Sequence, residues 1–323
     1  MEKATTREGF SEKIEQVIPK ARRFRKESMK RHTTFRVGGP ADWYLQVESV
    51  GELQEVIAVC KEYQVEWQVL GNGSNVLVSD QGYRGVICRL TGPEFEAVKV
   101  VDDFSTGIGT VTAGAGALMS KLAMTVGKKG FTGLEFAGGI PGTVGGGVWM
   151  NAGAYGGEIS QVLVSALLLT KNGELRQVTK EELGLSYRHS VLQETGEIVL
   201  QAVFELKVLP KLQIFVVMES LKKARFAKQP LEYPSAGSTF KRPEGYFAGK
   251  LIQDAGLSGC RIGGAEVSTK HAGFLINTGT ATATDLVHLI RHVQQTVKEK
   301  YGVQLEPEVR FLGSFDTEEW RNQ

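Results

Sequence analysis

An α+β fold with deeply set glycine loops is what this sequence predicts, and three observations carry that reading. Short β-branched runs alternate with helical patterns. A glycine-bearing loop, Gly71-Asn72-Gly73-Ser74-Asn75, follows one of the strands. A longer stretch, GLEFAGGIPGTVGGGVWMNAGAYGGE from Gly133 to Glu158, has no Lys or Arg, and Ile140, Val144, Val148, Trp149 and Met150 mark it as packed rather than a flexible linker. Glycine opens main-chain conformations closed to other residues and lets a ligand approach the backbone. Successive amides in such a loop can hold an anion without a charged side chain. A tightly packed turn with no ligand is the alternative at this point.

The totals set limits. At 323 residues the chain has room for two or three domains. Its 41% hydrophobic and 23% charged content is that of an ordinary soluble protein, whereas 39 glycines exceed the norm. A net charge of +2 argues against nucleic acid as a partner. Cys60, Cys88 and Cys260 are widely spaced and form no CxxC pair, so neither a disulfide framework nor a zinc site is expected. With no signal-peptide core and no membrane-length apolar run, a cytoplasmic protein without membrane insertion is expected.

In chain order, residues 1–31 are polar and end in the basic KARRFRKESMKRH, which reads as a solvated helix packed on the body. ADWYLQVE is strand-like. Ser49 and Glu52 then fit a capping box ahead of Leu53, Val56, Ile57 and Cys60 at helical spacing. WQVL, NVLVSD and GVICRL complete a β-α-β unit with the first glycine loop at a strand end. This is no dinucleotide fingerprint: GNGSNV lacks the third glycine, GIGTVT and GAGALM do not complete it, and no GxxxxGK[ST] occurs. From Glu96 to Val208 the strand-like VTAGAG, VLVSALLLT and EIVLQAVFELKV surround a helix near 117–127 with Leu118, Leu122 and Val126 on one face. After a boundary at LPKL come IFVVM as a strand, a basic helix SLKKARFAKQP, the polar loop YPSAGSTFKRP and a helix around AGKLIQDAG. A long helix near 284–301 carries Leu286, Ile290, Val293 and Val297 and stops at Gly302. His288 and His292 on that helix lie on its polar side and read as solvent-facing rather than metal-binding.

Polar groups stand out in glycine-rich or apolar surroundings at Arg188 in SYRHS, Ser238 in SAGSTF and Glu308 in LEPEVRFLG. Residue type alone leaves each as a loop or surface residue as readily as a catalyst, for no GxSxG elbow or paired-carboxylate spacing supports them.

At these same residues the chain resembles the UDP-N-acetylenolpyruvoylglucosamine reductases, also called UDP-N-acetylmuramate dehydrogenases. The resemblance rests on TTFRVGGPA, LGNGSNVLVSD, GLEFAGGIPGTVGGGVWMNAGAYGGE, SYRHS, SAGSTFKRP, GGAEVSTKHAGFLIN and LEPEVRFLG, in the family's order, from Thr33 to Gly313. The short span from Arg188 to Ser238 is similar to the branch that lacks an extra substrate-covering loop.

The resemblance implies an α+β, two-subdomain FAD-binding fold of the vanillyl-alcohol-oxidase-like type plus a C-terminal α+β substrate domain. The expected segments are 1–31, FAD-binding subdomains 32–95 and 96–208, a substrate domain 209–303, and 304–323 carrying Glu308. It implies FAD and NADPH as cofactors, UDP-N-acetylglucosamine enolpyruvate as the substrate reduced, and a monomer. FAD contacts are implied at Leu70, Gly71, Asn72, Gly73, Ser74, Asn75, Val76, Gly114, Ile140, Gly142, Thr143, Gly145, Gly146, Asn151 and Gly153. Ser238 is implied as proton donor, with Arg188 and Glu308 stabilising the enol form through the substrate carboxylate. Tyr187, Arg225 and Lys228 are candidates for holding the substrate or the nicotinamide cofactor, the last two lying three apart on one helical face. Two other readings stay open: an FAD-linked oxidase of the same fold, and a nucleotide-sugar sensor without turnover. The absence of histidine between His32 and His189 disfavours a covalently flavinylated oxidase.

Overall fold

The computed structural model describes residues 2–103 and 106–315; residues 316–323 of the expected C-terminal segment lie outside them. The chain forms two compact units, one built from residues 2–24, 43–72 and 86–225, the other from 25–42, 73–85 and 226–315. The expected segment 32–95 thus contributes to both.

The first unit begins with the helix Glu2–Val17, which covers only part of the expected N-terminal helix. Phe10, Ile14 and Ile18 are buried, and the Phe10 ring meets Trp43 and Tyr63 edge-on at centroid distances of 6.3 and 5.8 Å. The basic cluster departs from the helical expectation. Pro19 ends the helical run, since its ring cannot continue it, and a single turn Lys20–Arg22 and a strand Arg23–Ser28 follow. Arg22 forks onto both oxygens of Glu52 at 2.8 and 2.6 Å, and Arg23 pairs with Glu15 at 3.0 Å, so these charges are used internally.

The helix Val50–Glu62 buries Leu53, Val56, Ile57 and Cys60 as its spacing predicts. Ser49 caps it by accepting from the Glu52 amide at 3.2 Å. The reciprocal half of the expected box shifts by one residue, for the Glu52 carboxylate accepts from the Glu48 amide at 2.8 Å. Strand Trp67–Val69 then runs parallel to Tyr83–Leu90, with Val69 opposite Cys88. The remainder of the unit centres on the antiparallel strand Ile198–Val208. It lies between Leu163–Leu169 and Ile108–Gly114, with Leu175–Thr179 and Val98–Asp103 outermost. The helix Met119–Lys129 packs nearby and ends on Gly130 at φ 91°, a left-handed cap that favours glycine. Leu118, expected on its apolar face, is instead the N-cap residue and is 39% exposed.

IFVVM is not a strand. It lies inside the helix Lys211–Lys228, whose first turn is closed by the Pro210 carbonyl accepting from the Gln213 and Ile214 amides at 2.9 and 3.3 Å. Each β-branched residue costs a helix only a few tenths of a kcal/mol, about 0.5 relative to Ala. Ile214 and Met218, one turn apart, offset this by packing over Gly127, where an added Cβ would meet Ile214 Cγ2 at 3.3 Å.

The second unit holds an antiparallel sheet of Arg261–Ile262, Ala265–Val267 and Leu275–Asn277, and the helices Ala248–Asp254 and Ala283–Tyr301. The longer helix starts in a Thr282–Asp285 capping box, ends at Gly302 in the left-handed region, and buries Leu286, Ile290, Val293 and Val297. Asp80 accepts from its Ala283 and Thr284 amides, both at 2.9 Å, filling donors that a helix start leaves over. His288 and His292 are exposed, and no group of three or more potential metal ligands occurs among the described residues. Strand Val76–Val78 pairs in parallel with Arg310–Leu312. No helix among the described residues is long and apolar enough to cross a membrane.

Candidate active site

In the first unit Gly71 and Asn72, which open the shorter glycine loop, meet the longer one. Leu70 leaves its strand with its amide on the Cys88 carbonyl at 2.9 Å, and Asn72 Nδ2 then donates to the Pro141 carbonyl at 2.6 Å. Gly71 permits this approach: a Cβ there would lie 2.6 Å from Thr143 Oγ1. Within the longer loop the Ile140, Val144 and Gly145 amides are spent on the Ala137, Ala117 and Ala115 carbonyls. An anion held by this loop would therefore draw on Gly142, Thr143 and Gly146, and Gly146 is exposed with room for ligand beside it. The two carboxylates of the stretch are engaged locally, Glu135 with Thr132 Oγ1 at 2.6 Å and Glu158 with Ser160 Oγ. A glycine-lined cradle without a free carboxylate suits the diphosphate of FAD, so the residues present fit that cofactor.

Other expected FAD residues serve the packing. Gly114 has its amide on the Ala97 carbonyl at 2.9 Å, and a Cβ would strike the Phe95 carbonyl at 2.3 Å. Asn151 is fully buried at φ 43°. Its Nδ2 donates to the Ser186 carbonyl at 2.9 Å and its Oδ1 accepts from the Ser160 amide at 2.9 Å, so the side chain holds the loop shape. Gly145 faces Ala115, and Gly153 faces the Gly157 carbonyl across the short hairpin Gly153–Ala154 and Gly157–Glu158.

Arg188 occupies a two-residue turn. Ser186 and His189 exchange backbone hydrogen bonds at 3.2 Å, and Arg188 takes φ 56°, which a non-glycine residue rarely adopts. Its Nη2 donates to the Gly153 carbonyl at 3.0 Å, and its guanidinium lies 5.0 Å from the Tyr187 ring centroid. Two residues given no role from sequence fix this turn. Ser190 Oγ donates to the Trp149 carbonyl at 2.6 Å, and Gln193 Nε2 donates to the Arg188 carbonyl at 3.1 Å. Ser190 closes the SYRHS motif but residue type gave it no role there, and Gln193 is an ordinary polar residue in a short helix that carried no signal. Arg225 lies against Gly139 through its Cδ, and burial pushes its pKa down while the neighbouring Tyr155 acts in the opposite sense. Tyr155 is 46% exposed at φ 53°.

The second unit gathers Ser238, Glu308 and Asn75. The Glu308 amide donates to the Thr239 carbonyl at 2.7 Å and the Lys241 amide to the Glu306 carbonyl at 2.8 Å, setting Ser238-Thr239-Phe240 antiparallel to the Glu308 segment. Thr239 is buried, its amide on the Gly273 carbonyl and its Oγ1 accepting from the Leu275 amide at 3.2 Å. That leaves Ser238 exposed and Glu308 half-buried. Asn75 Nδ2 donates to the Glu308 carbonyl and the Arg310 amide donates to the Asn75 carbonyl, both at 3.0 Å. Gly73 is pinned at φ 58° with the site of a Cβ 2.0 Å from the His32 carbonyl, and the Thr34 amide donates to the Gly73 carbonyl at 3.1 Å. Lys228 is exposed, and its charge adds to burial in lowering the pKa of His271.

Residues 41–179 match the family model of the FAD binding domain, and residues 229–312 match that of the UDP-N-acetylenolpyruvoylglucosamine reductase C-terminal domain. The UDP-N-acetylenolpyruvoylglucosamine reductase of Agathobacter rectalis is 49% identical over 312 residues, covering 95% of this chain and 99% of the relative. That of Clostridium novyi is 50% identical over 304 residues, covering 94% and 96%. The crystal structure of the corresponding reductase from Thermus caldophilus superposes with a TM-score of 0.75 at 37% identity, covering 89% of this chain and 98% of that one.

Proposed function

The chain belongs to the UDP-N-acetylenolpyruvoylglucosamine reductase family, FAD-dependent enzymes that reduce the enolpyruvyl group of UDP-N-acetylglucosamine enolpyruvate in peptidoglycan precursor synthesis, and we propose that it does so with electrons from NADPH and a proton from Ser238. FAD, when bound, supplies the hydride that reaches the vinyl carbon C3. We assign FAD to the loops Leu70, Gly71, Asn72, Gly73, Ser74, Asn75 and Val76 and Ile140, Gly142, Thr143, Gly145 and Gly146. Its diphosphate lies on the amides of Gly142, Thr143 and Gly146 in the second loop, with Ile140 and Gly145 holding that loop's shape and Asn151 and Gly153 shaping the adjoining wall.

Addition at C3 leaves an electron pair at C2, delocalised into the substrate carboxylate as an enol form. Arg188 meets that carboxylate with a fixed cation, and Glu308 steadies the enol oxygen by a shared proton. Ser238 then passes its hydroxyl proton to C2. A serine hydroxyl is a weak acid, so this step needs a strongly basic carbon and a donor that does not have to reorient. The backbone bond from Glu308 to the Thr239 carbonyl is the observation that carries the assignment: it holds the residue beside Ser238 against the carboxylate segment. Tyr187, Arg225 and Lys228 are assigned to holding the nucleotide parts of the two substrates. The reading also places the work in the cytoplasm, where NADPH is available, with the protein as a monomer.

Anaerobic titration of the FAD-loaded protein tests this. Its visible flavin absorption should bleach with NADPH and return on adding UDP-N-acetylglucosamine enolpyruvate. A bleached flavin that ignores the enolpyruvate and recovers in oxygen would point to an oxidase, and one that NADPH does not bleach would point to the sensor.

A further inference from the structure

The loop after Ser238 bears a group of side chains that the roles above leave unused. Phe240 is buried and Lys241 is paired with Glu306, so the loop leaves a fixed point. It reverses through Pro243-Glu244-Gly245-Tyr246, where the Tyr246 amide donates to the Pro243 carbonyl at 3.2 Å and Gly245 at φ 73° takes the position a type II turn reserves for glycine. It ends at the helix Ala248–Asp254, anchored by the buried Leu251 and Ile252. Between these anchors Tyr246 and Phe247 remain 47% and 61% exposed. The Arg242 guanidinium lies 4.0 Å from the centroid of the Phe247 ring, and its Nε donates to the Tyr246 carbonyl at 3.4 Å. Two aromatic side chains left in water forgo the burial that normally favours such rings. One of them already carries a planar cation on its face.

We propose that Arg242, Tyr246 and Phe247 form the site for the base and diphosphate of a nucleotide ligand, the rings stacking the base and the guanidinium meeting a phosphate. Stacking on an aromatic ring is how proteins hold bases with little dependence on hydrogen bonds. A guanidinium matches phosphate oxygens with paired donors. The inference rests on the function proposed above, which requires two nucleotide ligands, and names where one of them docks.

Calorimetric titration of the FAD-loaded protein with UDP alone, and separately with 2′-phospho-ADP alone, tests it. Phe247→Ala should weaken one of the two by roughly tenfold, with flavin content and melting temperature unchanged, while Phe247→Tyr keeps the wild-type affinity. In turnover the KM of the matching substrate should rise with kcat nearly constant, the mark of binding used equally in ground and transition states. Weakened UDP assigns the site to the nucleotide-sugar, and weakened 2′-phospho-ADP assigns it to the reduced cofactor. Unchanged affinity for both would overturn the proposal while leaving the reductase reading intact. A wild-type protein that bound neither would contradict both.

Discussion

Arg188 sits at φ 56° in a turn whose carbonyl is gripped by Gln193 and whose flank is tied down by Ser190. The Ser190 bond to Trp149 is buried on the serine side, so Ser190→Ala should cost about 1 kcal/mol of stability. It should also slow reoxidation by the enolpyruvate more than reduction by NADPH, which rapid-mixing absorbance resolves. Glu52 makes a separate prediction. Its carboxyl is held below the usual 4.5, first by the Arg22 side chain, against the opposing effect of burial and with help from the Glu48 and Ser49 backbones. A carboxyl with a lowered folded-state pKa stabilises the fold above its unfolded value and loses that contribution as the pH falls through the folded one. The melting temperature of Arg22→Ala should therefore lie below that of the wild type at neutral pH, and the gap should narrow as the pH falls from 4.5.

At the level of elements, the helix Lys211–Lys228 discriminates best. A strand would bury Ile214 and Val216 on one face, whereas Ile214 is 1% and Val216 61% exposed. Ile214→Ala should cost about 2–4 kcal/mol and Val216→Ala less than about 0.5 kcal/mol, read from denaturant unfolding. Equal losses would contradict the helix. The sequence misled here because Ile214, Phe215, Val216 and Val217 have strand-like side chains, and only Ile214 among them is fully buried. The helix Ala283–Tyr301 was legible because apolar spacing and the Gly302 stop agree, and the structure adds the Thr282 cap. Glycine loops were visible as glycine loops. Whether a given glycine admits a ligand or a neighbouring chain was not, because that depends on what lies opposite: Phe95 for Gly114, Ala115 for Gly145, and only Thr143 Oγ1 at 3.6 Å for Gly146. The Arg188 turn left no trace in sequence, since Arg at positive φ follows no propensity.

For the whole molecule, the first unit carries the longer glycine loop with Gly71 and Asn72 against it, and Arg188, and the second carries Asn75, Ser238 and Glu308. In the proposed reaction one half loads electrons from NADPH and the other spends them on the enolpyruvate, with Arg188, Ser238 and Glu308 assigned to the second. Ser238 is assigned to the second half alone, and that is the central claim. The most direct test is anaerobic stopped-flow absorbance on Ser238→Ala, following each half separately. Bleaching by NADPH should match the wild type, while reoxidation by UDP-N-acetylglucosamine enolpyruvate should slow by about two to four orders of magnitude. Reoxidation at the wild-type rate would show that C2 receives its proton from another group, and the assignment of Ser238 would fall.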